Sequence, residues 1–185
     1  MARATCRARL QRRSRGGVAV DPTGYSIEDF NGGELYPRTL ASDRVRAAAE
    51  ANCSSDSPLE LTARAANHIR GNPDLADTIA RLQSSQEAGA AVLYAPGLMT
   101  SDYIRSVASA VDLPINVLIM PGGPGVPEIF AAGGTLTSTG SAISVAAQAA
   151  LINAARELLD DGTHPFWLTA LQHAGAIKQA LSGKG

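Results

Sequence analysis

From Gly24 onward the chain repeats one pattern. A short run of β-forming residues is followed by a polar or Gly/Pro stretch, then by a segment whose apolar positions return at helical spacing. The β-forming runs lie at residues 25–27, 59–63, 91–95, 115–119 and 135–138. Several of the helical segments have readable ends. Asp74 suits an N-cap, with Leu75, Ile79 and Leu82 on one face behind it and Gly89 as the stop. Thr100 likewise precedes Ile104, Val107 and Val111, and Pro127 suits the first turn of a short helix through Glu128, Ile129 and Phe130. An Ala-rich segment predicts a helix over 142–159 that stops at Gly162, and residues 166–181 predict one more.

Strands alternating with helices predict a parallel sheet covered by helices, in an α/β protein. A closed barrel and an open doubly wound sheet share this signature. A full barrel uses about 250 residues for eight units, roughly 30 per unit. Five units and a terminal helix therefore account for most of the 185 residues. No Gly-x-Gly-x-x-Gly follows the first strand, which argues against a dinucleotide-binding sheet. The expected fold is a partial (β/α)8 TIM barrel with about five parallel strands over 21–162 and a C-terminal helical tail over 163–185.

The first twenty residues break this pattern. They carry Arg3, Arg7, Arg9, Arg12, Arg13 and Arg15, and Asp21 is the first acidic residue. A targeting segment or a basic nucleic-acid arm would have that composition. Without apolar periodicity, the expectation for 1–20 is a disordered Arg-rich leader.

Composition narrows the function classes. Aromatic residues make up 4 %, so the core must be built from small aliphatic side chains, which suit helices lying closely on a buried parallel sheet. The net charge of -1 gives no general attraction for nucleic acid or an anionic membrane. Cys6 and Cys53 stand outside any CxxC or His/Cys cluster, so a reducing cytoplasm is expected, with Cys53 as a packing residue. No apolar run reaches the roughly 20 residues needed to cross a bilayer.

In parallel α/β proteins the carboxyl ends of the strands open on one face, and the active site is built there. That rule gathers residues scattered in sequence: Glu28 and Asp29 after the first run, Arg64 after the second, Pro96-Gly97 after the third, Asn116 within the fourth, and Ser138 at the fifth. Glu28 and Asp29 could hold a hard divalent cation directly or through water, or could cap a helix or pair with an Arg. Arg64 could clamp a carboxylate or phosphonate through two parallel hydrogen bonds, or form a salt bridge to Glu28 or Asp29. Asn116 is polar in an apolar strand and needs partners, from a ligand or from the barrel interior. The Ser138-Thr139-Gly140-Ser141 turn offers donors to an anion, and an N-cap explains the same residues. His68, His164 and His173 are too dispersed for a ligand cluster. Tyr25 and Tyr94 are expected inside the barrel or under its helices.

The segments Gly24-Tyr-Ser-Ile-Glu-Asp29, Leu61-Thr-Ala-Arg64, Asp77-Thr-Ile-Ala-Arg-Leu82 and Ala88-Gly-Ala-Ala-Val-Leu-Tyr-Ala-Pro-Gly-Leu98 resemble the isocitrate lyase/phosphoenolpyruvate mutase superfamily, in its phosphonomutase-like branch. Pro114-Ile-Asn-Val-Leu118 and the Ser138 turn continue the match in order. The resemblance implies a (β/α)8 barrel that uses Mg²⁺ to stabilise an enolate while a C–C or P–C bond of a small 2-oxo or 2-hydroxy acid is made or broken. It also implies roles. Glu28 looks like the carboxylate holding a metal-bound water, with Asp29 a weaker candidate ligand. Arg64 looks like the grip on the acidic group, with Asn116, Gly97 and Ser138 lining the pocket. Many members exchange their final helices between subunits, so a homo-oligomer is expected.

Two departures qualify the resemblance. The family pattern places three strands before Glu28, with the aspartates that bind Mg²⁺ most directly, and the Arg-rich leader stands in their place here. Lyases of the family also carry a Lys-Lys-Cys-Gly-His loop after the Glu-Asp strand, where this chain has Asn31-Gly-Gly-Glu-Leu-Tyr36; isocitrate and methylisocitrate cleavage are therefore disfavoured. The expectation is a lyase or mutase impaired in this chain. Two other readings stand beside it: a catalytically inactive remnant or subunit-interaction module, and an unrelated α/β phosphate-binding enzyme.

Overall fold

The computed structural model describes residues 23–54 and 59–182, so the Arg-rich leader lies outside the described residues. The elements run β1 Gly24–Glu28, α1 Arg38–Cys53, β2 Glu60–Arg64, a 3₁₀ turn His68–Arg70, α2 Leu75–Ala88, β3 Val92–Tyr94, α3 Ser101–Ala110, β4 Ile115–Leu118, α4 Val126–Ala131, β5 Leu136–Ser138, α5 Ala142–Asp160 and α6 Phe166–Leu181. The chain divides into two compact units, Met1–Thr139 and Gly140–Gly185.

In the first unit the five strands form one parallel sheet in the order β1-β2-β3-β4-β5. A doubly wound sheet reverses strand order partway. Here each strand lies beside its predecessor, and α1, α2, α3 and α4 pack side by side in the same succession. This is barrel winding, and the expected partial (β/α)8 barrel is the fold observed.

Alternation along each strand separates the two faces of the sheet. Leu61, Ala63, Leu93, Ile115 and Val117 point to the helices and are buried, with Leu82, Ile104, Val107 and Ile129 packed over them. Each such Leu, Ile or Val side chain contributes about 1.5–3 kcal/mol by leaving water. The intervening residues, among them Glu28, Arg64, Tyr94 and Asn116, face the other way and are half-buried.

The predicted caps are present. The Asp74 carboxylate accepts from the N–H groups of Ala76 and Asp77, and Thr100 accepts from Tyr103 N–H. α1, for which the sequence offers no clear end signals, starts after Pro37 without a side-chain cap and is held by Ala41 and Val45 against the core. Gly133 has φ +98, and a Cβ there would lie 2.6 Å from Ala108 Cβ, so the α4–β5 turn admits only glycine at this approach. Two expectations need correction. Cys53 is exposed at the end of α1, not packed. Ser141 precedes α5 but makes no side-chain capping bond, so the N-cap explanation of that turn does not hold.

The second unit consists of α5 and α6. Neither helix has a buried residue. Leu151, Leu158, Trp167, Leu168, Leu171 and Ile177 are among the exposed apolar side chains. Phe166 N–H donates to Glu157 Oε2 at 3.3 Å where one helix leads into the next.

Candidate active site

Parallel register brings the predicted residues into line. Glu28 is the Cα partner of Arg64, Arg64 of Tyr94, and Tyr94 of Asn116, so one row crosses four strands on the face turned away from the helices. Leu118 is the partner of Ser138, which extends the set to β5 one step along the strand direction. Asn116 Nδ2 donates to Ser138 Oγ at 3.0 Å. A polar residue in each of β1, β2, β4 and β5 therefore meets at the strand ends because the strands are parallel and their side chains alternate.

Arg64 is the centre of this row. Its Nε lies 3.1 Å from Glu28 Oε2, and its guanidinium lies 5.3 Å from the Tyr94 ring centroid. The Nε is nevertheless buried without an aligned hydrogen-bond acceptor, so the contact with Glu28 is an ion pair by distance and not a hydrogen bond. Buried donors are nearly always paired in folded proteins, and the Glu28 carboxylate is the charge set against this one. Glu28 has a second cation near it, Arg70 Nη2 at 3.9 Å, and the Arg70 guanidinium stacks over the Phe30 ring at 4.1 Å.

Asp29 and Gly97 do not join the row. Asp29 is buried beside it. Its Oδ1 accepts from Ala66 N–H at 2.7 Å, and its Oδ2 meets Arg81 Nη1 at 2.9 Å. Arg81 also donates through Nε to Asp77 Oδ2 at 2.7 Å and through Nη1 to the Tyr36 carbonyl at 2.9 Å. Burial is the largest single influence on Arg81 and pulls its pKa down, but the hydrogen bonds and charges of Asp77 and Asp29 together outweigh it and raise the value. Asp29 Oδ1 thus ties the β1–α1 loop to the segment after β2, and Oδ2 ties it to α2. Gly97 has φ +96, and a Cβ there would come within 3.3 Å of His68 Cβ and Ile69 N. Close approach to the His68 turn explains this glycine without a ligand.

That turn is tightly held. Asn67 is fully buried and donates to the carbonyls of Asn72 and Asp74 and to Thr78 Oγ. The Thr78 hydroxyl gives its one proton to the Asp74 carbonyl, so His68 Nδ1, 2.8 Å from the same oxygen, must be the donor in that contact. The neutral ring then carries its lone pair on Nε2, which is buried without a partner. Burial lowers the His68 pKa from its ordinary 6.5, against the opposing pull of the Asp74 charge.

The residues present do not by themselves fit a directly bound metal ion. Among the described residues no three His, Cys, Asp or Glu side chains cluster, and the single carboxylate of the row faces two guanidiniums.

The sequence profile described as phosphoenolpyruvate phosphomutase matches residues 9–159, most of the chain. The chain belongs to this family. Its first matched residue falls within the Arg-rich stretch. A lyase/mutase candidate from Burkholderia cenocepacia J2315 is 41 % identical, with a TM-score of 0.74 over 78 % of this chain and 54 % of that one. A 2,3-dimethylmalate lyase, described as a member of the PEP mutase/isocitrate lyase superfamily, is 23 % identical, with a TM-score of 0.67 over 77 % of this chain and 52 % of its own. A phosphonopyruvate hydrolase in complex with oxalate and Mg²⁺ is 18 % identical, with a TM-score of 0.63 over 88 % and 62 %. The last two show the shared fold. This family member therefore spans between half and two thirds of the length of these relatives. No curated protein matches the chain at a significant level.

The site also contains residues to which the sequence reading gave no role. Arg70 and Phe30 follow no motif spacing, and the loop path brings them to the row; Arg81, within the family-like segment 77–82, lies beside the row through Asp29.

Proposed function

We propose that this chain carries the acid-gripping part of a lyase or mutase site of the phosphoenolpyruvate mutase/isocitrate lyase type. Its substrate is a small 2-oxo or 2-hydroxy acid, and the bond made or broken is C–C or P–C. The observation that carries the reading is Arg64 at the centre of the strand-end row, oriented by Glu28 at 3.1 Å with its side chain 27 % exposed. The fork of the guanidinium suits a carboxylate or phosphonate. Glu28 holds the guanidinium at its orientation, while Tyr94 supports it from the next strand. Asn116, fixed by Ser138, supplies an amide to the same face.

Mg²⁺ is part of this reading, supported by the relative that holds oxalate and Mg²⁺. When bound, the ion supplies Lewis-acid stabilisation of charge developing on substrate oxygens. Glu28 would face it through water, and no step is derived through the ion. A cytoplasmic setting agrees with the lack, among the described residues, of a helix long and apolar enough to cross a membrane.

A second reading, a subunit-interaction module without catalysis, is favoured by one observation: α5 and α6 bury none of their side chains. Homo-oligomerisation through these helices is compatible with either reading.

Calorimetric titration with oxalate, with and without Mg²⁺, tests the enzyme reading. Binding that strengthens with Mg²⁺ and is lost in Arg64→Gln is the expected result. Lack of oxalate binding by the wild-type chain under both conditions would leave only the module.

A further inference from the structure

Asp29 holds the chain immediately behind Arg64. Its N–H donates to the Arg64 carbonyl at 3.2 Å, and its Oδ1 accepts from Ala66 N–H at 2.7 Å. Between these contacts, Ala65 N–H donates to the Tyr94 carbonyl at 2.9 Å. The peptide group that follows Arg64 is therefore bonded to Asp29 on one side and to β3 on the other, and the next peptide is fastened to a carboxylate. β2 ends at Arg64, and this charge-assisted bond extends the hold past it. Glu28 and Asp29 thus act on Arg64 from neighbouring positions, Glu28 on the guanidinium and Asp29 on the backbone.

Asp29 is itself fixed from α2. Arg81 Nη1 donates to Asp29 Oδ2 and to the Tyr36 carbonyl, each at 2.9 Å, and Tyr36 N–H donates back to the Asp29 carbonyl at 2.8 Å. The two charged side chains are 6 % and 12 % exposed, so salt and water screen their contact little. The path runs from a helix, through a buried ion pair, to the base of a strand-end arginine. A guanidinium that must meet two oxygens at once has to stand within about 0.5 Å of the right place, and a long side chain on a loose base does not.

We propose that Asp29, anchored by Arg81, is a positioning residue for the anion-binding guanidinium of Arg64: it touches no ligand and acts by clamping the backbone from which that side chain projects. This rests on the acid-binding role proposed for Arg64 and deepens it by naming what sets the arginine in place.

The test uses the full chain and Asp29→Asn, which keeps the shape of the side chain and removes the charge that Arg81 and Ala66 N–H share. Oxalate affinity is read by calorimetry, with and without Mg²⁺. The order parameter of the Arg64 Nε–H is read by NMR relaxation, its resonance assigned by its loss in Arg64→Gln. Affinity should fall about five- to ten-fold under both conditions. The order parameter should drop from about 0.85, typical of a rigid group, to about 0.6. Arg81→Lys leaves Asp29 intact and loosens its anchor, so it should move both readouts the same way and less far. It carries the test if unfolding midpoints show that Asp29→Asn is not folded. Unchanged affinity in a folded variant makes the clamp structural only and overturns the inference. So does a loss of affinity with the order of Arg64 kept, or one seen only with Mg²⁺, because Asp29 would then act on the ligand or the ion directly. A wild type that binds no oxalate removes the acid-binding role by itself, and the Arg64 order parameter in Asp29→Asn still decides whether Asp29 positions the guanidinium.

Discussion

Arg64 and Glu28 are joined twice: they are register partners on neighbouring parallel strands, and Arg64 Nε lies 3.1 Å from Glu28 Oε2. The first relation fixes the backbone and the second orients the guanidinium. Both side chains remain roughly 30 % exposed, at 27 % and 31 %, so the pair is partly screened and adds little to stability, about 1 kcal/mol at most. Its value lies in orientation. Arg64→Gln should therefore lower the unfolding free energy by no more than about 1 kcal/mol. The same change should weaken oxalate binding by about ten-fold or more, measured by urea unfolding and calorimetry on one preparation. A variant that loses stability while keeping its affinity would make Arg64 a structural residue.

The Asp29–Arg81–Asp77 group lies on the other side of that balance. Its side chains are 6 %, 12 % and 27 % exposed, and Arg81 also holds the Tyr36 carbonyl. Removing the guanidinium leaves Asp29 charged and buried beside Ala66 N–H. Arg81→Met should cost about 3–5 kcal/mol in urea unfolding, and Arg81→Lys should recover only part, because one compact ammonium cannot span acceptors that the guanidinium reaches from two separate nitrogens, Nε and Nη1. A loss under about 1 kcal/mol would show that the network adds nothing beyond a surface pair.

The contrast between Glu28 and Asp29 shows how far sequence reading reaches. Adjacent carboxylates after a strand are equivalent in the sequence, but alternation sends one to the open face and the other toward the helices. Strand positions, the Asp74 and Thr100 caps and the row containing Glu28, Arg64 and Asn116 were legible because they depend on periodicity of two or on local capping chemistry. Arg70 and Arg81 were not legible. Each acts across a large gap in sequence, Arg81 on Asp29 and Arg70 on Glu28, and no local pattern encodes which loop will fold over which strand end. Gly97 was legible as a special position but not as to its reason, which is close approach to His68.

His68 predicts a pH dependence of stability. Its pKa is lowered in the folded chain, first by burial, with Asp74 opposing. Tyr103 packs edge-on against the ring from α3, and Thr78 meets Nδ1 from α2, so neither offers Nε2 an acceptor for a second proton. Between the lowered value and the ordinary 6.5 the unfolded chain binds a proton that the folded chain does not. Stability therefore rises with pH across that window, is fully present above it, and is lost as pH falls through the folded-state value. His68→Gln keeps a hydrogen-bonding side chain beside Thr78 and removes the titration. The difference in unfolding free energy between wild type and variant should thus change with pH below 6.5 and level off above it. A difference that is flat across the whole range would mean that Nε2 accepts its proton without cost.

The second unit makes the last prediction. Two helices of 19 and 16 residues with no buried side chain have none of the packing that normally sustains helical structure in water. Along α6, Trp167, Ala170, Leu171, Ala174 and Ile177 lie on one helix face, and Leu168 and Leu171 are 69 % and 64 % exposed. An apolar stripe of this kind is covered in a stable protein, and on the proposed reading a second copy of the chain covers it. Sedimentation velocity of the wild type should show a concentration-dependent oligomer. Leu171→Glu places a charge on that face and should shift the population to monomer, with a loss of helical circular dichroism as the unpacked helices fray. The exposed Leu159→Glu on α5, off that face, serves as the comparison. Should both variants sediment as the wild type does, the α6 face is not where the copies meet.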